Sequence, residues 1–386
     1  MLALAACGVA VVGGDSIVAV WHWAADACPQ ELLAEPEVCA IRSPGCMYPR
    51  ERTFRRVLSE VDGDELDRQV CAYLADQEPH APRGPDDDDR PEATDPAWSN
   101  EREARRARQR RREHPAMSGL LPAAAADGKA IRDARRSDGS RSQLLSLFCR
   151  TRHTPLAQRA IDAKTSEAPE LKPLIANVNK AGRVLTADAL HTVRESARHL
   201  AEDLGAYYVL MVERQSAHAP GGGDDPAGRR DRRRARAGRN RAHRSRSGTR
   251  RSERRTIRTV PADGIDFPDT AQVFRIVRHV ADLTGSGVTK EVAYGITNMT
   301  ADLARPAHLN LYVRSHWGVE TREHYVRDVT FREDAGHIRT GRLPQVMAAC
   351  RNLAIGAFRH VGHAKMAHAR RHYRNDARHL LTLFHL

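Results

Sequence analysis

Residues 183–212 read RVLTADALHTVRESARHLAEDLGAYYVLMV, and this stretch decides the fold class. Arg183–Ala187 is the short apolar run of a buried strand, and Asp188 follows it directly. Leu190–Leu204 then places Leu190, Val193, Ala197, Leu200 and Leu204 on one helical stripe. Gly205 stops that helix, because glycine accepts the left-handed backbone of a helix end. Tyr207–Val212 reads as a second buried strand.

Upstream, from about Ala123, Gln143–Arg150 and Pro155–Ala163 read as short strands. Glu170–Lys180 reads as a helix with Leu171, Leu174, Ile175 and Val178 on one face, Pro173 being tolerable only in its first turn. The order is strand, strand, strand, helix, strand, helix, strand, which suits a mixed α/β sheet with helices on its faces. Downstream, Val273–Val280 and Glu291–Thr297 read as strands. Ala301 to Asp328 and Val346 to Val361 read as helices, the latter ended by Gly362.

Residues 1–76 read as a small helical domain. Val18, Trp21, Trp23 and Ala24 share one amphipathic stretch, and Thr53–Leu74 carries Phe54, Val57, Leu58, Val61 and Leu66. The apolar start, Met1 to Val20, has no charged leading region and is broken by Asp15, so it reads as a core helix truncated at its start. Residues 77–120 read as a solvated linker, with Pro79, Pro82 and Pro85 before Asp86–Asp89 and an Arg-rich run from Arg102 to Arg112. A catalytic domain is expected over 121–362, with an irregular Arg-rich insertion at 216–255, and a His/Arg-rich helix or tail over 363–386.

The 386 residues hold 62 Lys+Arg and 49 Asp+Glu, a net charge of +13. Between Arg229 and Arg255 stand 14 Arg against Asp231 and Glu253, 14 − 2 = +12. The excess therefore lies in one tract, and the basic sum alone is weak evidence for a nucleic-acid face. Seven cysteines without a CxxC support neither a disulfide framework nor a zinc ribbon and fit a reducing cytoplasm. No run is long enough to span a bilayer, and no membrane partner is expected. His368 and His372 stand four apart without a third ligand of good spacing. Gly221–Gly223 lacks the strand–glycine–helix context of a phosphate loop.

Three acids stand out by context. Asp127 opens the first strand region in Asp127-Gly128-Lys129, Asp188 ends a strand, and Glu320 sits on a helix in Arg314-Ser315-His316-Trp317-Gly318-Val319-Glu320. Taken singly each is ordinary, and Asp188 can equally cap the helix after it. An acid at the carboxyl edge of a strand in an open α/β sheet points into the crevice where ligands bind. Three such carboxylates from separate elements can hold two divalent cations for phosphoryl transfer. Glu320, His324 and Arg327, at i, i+4 and i+7, share one face of an α-helix. An imidazole and a guanidinium beside the carboxylate suit a DNA phosphate. Trp317 suits either the core or a stacking contact with a base.

These residues carry a resemblance. Asp127-Gly128-Lys129-Ala130-Ile131-Arg132, Asp162–Glu167, Thr186–Thr192, Arg314–Glu320 and Arg327–Asp334 resemble, in order, insertion-sequence transposases of the DDE superfamily, the group that includes the H-repeat-associated proteins. Ile17–Ala25 and Thr53–Leu58 resemble the helical domain found with them. The resemblance implies a ribonuclease H-like mixed-sheet core with an insertion before the final catalytic helix. It implies catalytic and metal-binding roles for Asp127, Asp188 and Glu320, with Mg²⁺ or Mn²⁺ in a two-metal site. It implies DNA contacts from Lys129, Arg132, Arg314, His316, Trp317, His324 and Arg327. The partner would be double-stranded DNA, the terminal repeats of a bacterial element and its target, bound in the nucleoid, with room for a homodimer in the transposition complex. Asp328, Glu333 and Asp334 match the family and read as solvated or capping groups.

The match breaks at Val212-Glu213-Arg214-Gln215 and is clean again at Arg255-Thr256-Ile257-Arg258. A compensated frameshift between about Glu213 and Arg250 accounts for this, and translating the other two frames tests it: if neither restores an apolar-patterned insertion ending in His-Gly-Arg, the explanation is wrong. The alternative to an active transposase is an inactive remnant that folds and binds DNA; a third reading is a nuclease that cleaves without joining.

Overall fold

A computed structural model of the chain describes residues 1–26, 50–76, 119–136, 138–161, 167–176, 178, 182–212, 241–247, 251–282, 289–374 and 377–384. Nearly all of the 77–120 linker, the tract from Arg229 to Asn240 and the motif residues Asp162–Ser166 lie outside them. The helices are α1 (Leu2–Val12), α2 (Ile17–Asp26), α3 (Glu51–Glu60), α4 (Gly63–Asp76), α5 (Glu167–Ile175), α6 (Arg194–Arg198), α7 (Pro306–His316), α8 (Leu343–His360), α9 (Met366–Arg374) and α10 (Ala377–Phe384). The strands are β1 (Ala123–Arg135), β2 (Arg141–Cys149), β3 (Thr154–Ile161), β4 (Val184–Ala187), β5 (Tyr207–Val212), β6 (Arg241–Ser247), β7 (Arg251–Pro261), β8 (Gln272–Asp282) and β9 (Thr289–Thr297).

Two compact units interleave along the chain. The first comprises Met1–Arg90, Ala124–Asn179 and His316–Leu386, and the second Pro91–Ala123 and Lys180–Ser315. In the first unit β1, β2 and β3 form an antiparallel meander. Its register sets Asp127 opposite Ser146, and Ser146 opposite Gln158, so the three lie in one row across the strands. Lys129, two residues on, shares the face of Asp127.

The helices of this unit share one core. Ile17, Val20 and Ala24 of α2, Phe54 and Leu58 of α3, and Val346, Ile355 and Phe358 of α8 belong to one buried cluster with α1, α9 and α10. Sequence reading divides the chain at 76 and 362, but these helices cannot bury their apolar stripes alone and do so against one another. Thr53–Leu74, read as one stretch, is two helices, because Asp62 stops the first and caps the second by accepting from the Asp64 and Glu65 N–H groups. Among the described residues no single helix is long and apolar enough to cross a membrane; α1 and α2 pass together only as a pair bent by 102°.

Gln158 links this core to the meander. It donates to Asp67 Oδ1 at 2.8 Å, and Gln345 donates to Asp67 Oδ2 at 3.1 Å. Burial of Asp67 raises its carboxyl to about 7, against the opposing pull of those two amides and Arg327. An acid with a raised folded-state pKa stabilises fully below its unfolded value and less as pH climbs through the folded one. The melting temperature of Asp67→Asn minus that of the parent is therefore expected to increase from about pH 4 to pH 7. A pH-independent difference would remove Asp67 as the titrating group.

In the second unit β4 runs parallel to β5, Val184 opposite Tyr207 and Ala187 opposite Leu210. Antiparallel strands β9, β8, β7 and β6 follow β5 in that order. Val184, Val209, Ile257, Phe274 and Tyr312 fill its core. The elements are therefore mixed α/β: an antiparallel meander in the first unit, and in the second a parallel strand–helix–strand crossover with an antiparallel extension.

Several elements differ from their sequence reading. The Leu190–Leu204 helix is broken into a 3₁₀ turn (Ala189–His191), α6 and a π turn (His199–Asp203). Asp188 caps the first turn, and the Thr192 hydroxyl donates to the Met211 carbonyl, so the helix starts late. Ala197 and Leu200 are buried as expected, whereas Leu190 and Val193 are exposed. Gly205 ends the segment at φ +56°. α5 starts at Glu167, which places Pro173 in its second turn, and the helix ends two residues later. The 216–255 insertion is not irregular throughout: β6 and the start of β7 pair antiparallel within it. In β7 the buried Arg255, Ile257 and Thr259 alternate with the half-buried Thr256 and the exposed Arg254, Arg258 and Val260, a period of two that an apolar-only count misses. Arg255 and Arg278 both pair with Glu253 there.

Candidate active site

Asp127 lies on β1, next to a glycine. A Cβ at Gly128 would meet the Glu167 carboxylate at the start of α5, so a larger residue there would make that side chain swing away. Glu320 comes from the segment after α7, where Glu320–His324 and Val326–Thr330 form two consecutive π turns. Such turns are rare and recur at functional sites. They also change the face count. Seven residues complete about two α-turns, but fall short of two turns closed i→i+5. Glu320 and His324 stay together, and Arg327 rotates away from them.

The first unit thus brings Asp127, Glu320 and His324 together, with one ligand atom from each lying within 4.8 Å of the others. His324 Nδ1 is 3.1 Å from Glu320 Oε2 and 3.7 Å from Asp127 Oδ2. His324 is 3% exposed. Glu320 is largely open to solvent, its side chain 67% exposed. The hydrogen bond from His324 holds the Glu320 carboxyl below its usual range, against the opposing effect of partial burial. Two carboxylates and an imidazole at this spacing are a donor set able to hold a divalent cation.

Asp188 belongs to the second unit. It ends β4, as the sequence requires, and its carboxylate accepts from the Leu190 N–H at 3.1 Å.

The residues assigned to DNA contact divide by burial. Trp317 is 50% exposed, which settles its open choice against the core. Arg132 is exposed, and Arg314 on α7 is half-buried. His316 and Lys129 are buried. Lys129 Nζ sits 2.5 Å from Asp328 Oδ1 and 3.9 Å from both Glu333 and Asp334. Burial raises the Asp328 carboxyl, with Lys129 opposing.

Arg327 corrects the sequence reading most sharply. It is fully buried, donating from Nε and Nη2 to Glu333 at 2.9 and 2.8 Å and from Nη1 to Gln158 at 2.7 Å. The guanidinium is bonded inside the protein and closed off from solvent, not presented at the surface as a phosphate contact would need. Glu333, read as solvated or capping, is also buried and accepts a further bond from Arg351 at 3.0 Å. Burial alone would raise its carboxyl, but Arg327, Arg351 and Lys129 hold it down to about 2. Sequence reading also missed Glu323, buried 3.8 Å from Arg327. A charged residue every few positions on a helix looks solvated until its partners are placed.

A family model described as the transposase DDE domain matches residues 106–355. The chain belongs to that family. The match takes in Asp127, Asp188 and Glu320. No curated protein matches the chain in sequence. Among solved structures, the cryo-EM structure of a piggyBac transposase synaptic complex with hairpin DNA matches with a TM-score of 0.37 and 11% identity. That match covers 68% of this chain and 52% of the other, so the chain spans about half of that transposase's length.

Proposed function

We propose that the chain is the DNA transposase of a bacterial insertion sequence, cleaving phosphodiesters at the element ends and joining the freed 3′ ends to target DNA. The carrying observation is the meeting of Asp127 and Glu320. They stand 320 − 127 = 193 positions apart in sequence, yet their ligand atoms lie within 4.8 Å. Membership of the DDE family supports reading Asp188 as the third carboxylate.

A bound Mg²⁺ or Mn²⁺ pair would supply Lewis acidity to the attacking and leaving oxygens. The chain's own part is to hold carboxylates at that place before substrate arrives. β1 fixes Asp127 by its pairing with β2, opposite Ser146, and the π turns aim Glu320 back at it. Arg132, Arg314 and Trp317 are the accessible groups for a phosphate backbone or a base. Binding in the nucleoid, on paired ends, by a homodimer completes this reading.

Cleavage of end-containing DNA with added Mg²⁺ or Mn²⁺ tests it. Nicks with joined products support transposition. Nicks alone indicate a nuclease, and binding without either indicates a remnant. For Trp317→Ala, stability should change by no more than about 0.5 kcal/mol. DNA affinity should fall by about 1–3 kcal/mol if the ring stacks on a base. Fluorescence anisotropy at fixed salt, beside a thermal melt, measures both; unchanged affinity removes the stacking role.

A further inference from the structure

We propose that His324 is itself a ligand of the cation at Asp127 and Glu320, making a mixed nitrogen–oxygen site that favours transition-metal ions over Mg²⁺. This rests on the metal-site reading above and adds to it a ligand and a selectivity. The ring is 3% exposed, and its Nδ1 faces both carboxylates at 3.1 and 3.7 Å. Adjacent donors on an octahedral cation with bonds of 2.0–2.1 Å stand about 2.9 Å apart, and opposite donors about 4.2 Å. The spread within 4.8 Å needs only small side-chain adjustments to meet those spacings. Nε2 is buried with no hydrogen-bond partner among the described residues. The ring's polar contacts are thus with the two carboxylates that would share the ion.

The geometry has a competing explanation with the opposite sign. An imidazolium could neutralise the acids as a resident counter-ion. A cation would then have to displace that charge, and removing His324 would tighten metal binding. A ligating imidazole is neutral with its proton on Nε2, and removing it weakens binding. Imidazole prefers transition ions, whereas an all-oxygen site suits Mg²⁺. Loss of His324 should therefore weaken Mn²⁺ more than Mg²⁺.

The test is Mn²⁺ alone, without DNA, on the full chain, read by pulsed EPR and by titration. The expected result is ¹⁴N coupling to bound Mn²⁺ that is lost in both His324→Ala and Asp127→Ala, the second control excluding the C-terminal histidines. The Mn²⁺ Kd should rise about tenfold or more in His324→Ala, and the Mg²⁺ Kd by less. The parent spectrum stands even if the buried variant folds poorly. Mn²⁺ bound in an Asp127-dependent way without ¹⁴N coupling overturns the His324 assignment and leaves the carboxylate site standing. So does equal or tighter binding by a folded His324→Ala. Absence of binding, or binding unaffected by Asp127→Ala, overturns the carboxylate site and the proposal with it.

Discussion

Asp127→Asn is expected to lower DNA cleavage by about 10³-fold or more while the protein melts no lower than the parent. The rate loss follows from removing a carboxylate that holds charge where the reaction develops it. The unchanged melting follows from the surroundings. Asp127 lies within 4.8 Å of Glu320, and two like charges at that spacing repel, so neutralising one relieves the folded state. Glu320→Gln should lose cleavage in the same way but melt slightly lower than the parent at neutral pH, since the His324 hydrogen bond holds its carboxyl below the usual range and so favours the charged form in the fold. A circular-dichroism melt beside a nicking assay separates the two effects. An Asp127→Asn variant that melts early would mean Asp127 is structural, and one that nicks like the parent would remove it from the chemistry.

Arg327→Ala is expected to have the opposite profile, a loss of stability of about 3–5 kcal/mol. Its guanidinium satisfies Glu333 through two bonds and Gln158 through a third. Removing it leaves Glu333 with Arg351 and Lys129 alone, and leaves buried Glu323, whose carboxylate oxygens have no hydrogen-bond partner among the described residues. An uncompensated buried charge costs more than the original pair contributes. Acid should expose the same network. A carboxyl held down to about 2 contributes stability that is complete above its unfolded value and fades as pH falls from about 4.5 towards 2. Chemical denaturation at neutral pH measures the first effect. A stable Arg327→Ala with weakened DNA binding would restore the phosphate role that its sequence position suggests.

Arg327 also shows where sequence reading stops. Its seven-residue step from Glu320 is legible, and so is the α-helical face that step implies. The π turns that break the face are not, because they arise from tertiary packing rather than from residue propensity. The late start of the Leu190 helix has the same origin, since a Thr192 hydroxyl bond to another strand outweighs a good apolar stripe. Patterns set by local chemistry carried through. Gly205 took the left-handed turn, Tyr207–Val212 became the strand it spells, and Asp188 stands at a strand end. The pairing of β6 with β7 was hidden because arginines supply part of the alternation there, and a charge tract looks solvated whichever way its side chains point. The nearness of Asp127 and Glu320 was readable only through family resemblance, since nothing local links positions so far apart.

The most direct measurement uses the full chain, Mn²⁺, and double-stranded DNA carrying the element's terminal repeats beside a target duplex, resolved on a denaturing gel. Nicks leaving 3′-hydroxyl ends, followed by joined products, are predicted for the parent, with both lost in Asp188→Ala. An Asp188→Ala variant that nicks and joins as well as the parent, or a folded, DNA-binding parent that does neither, would contradict the account.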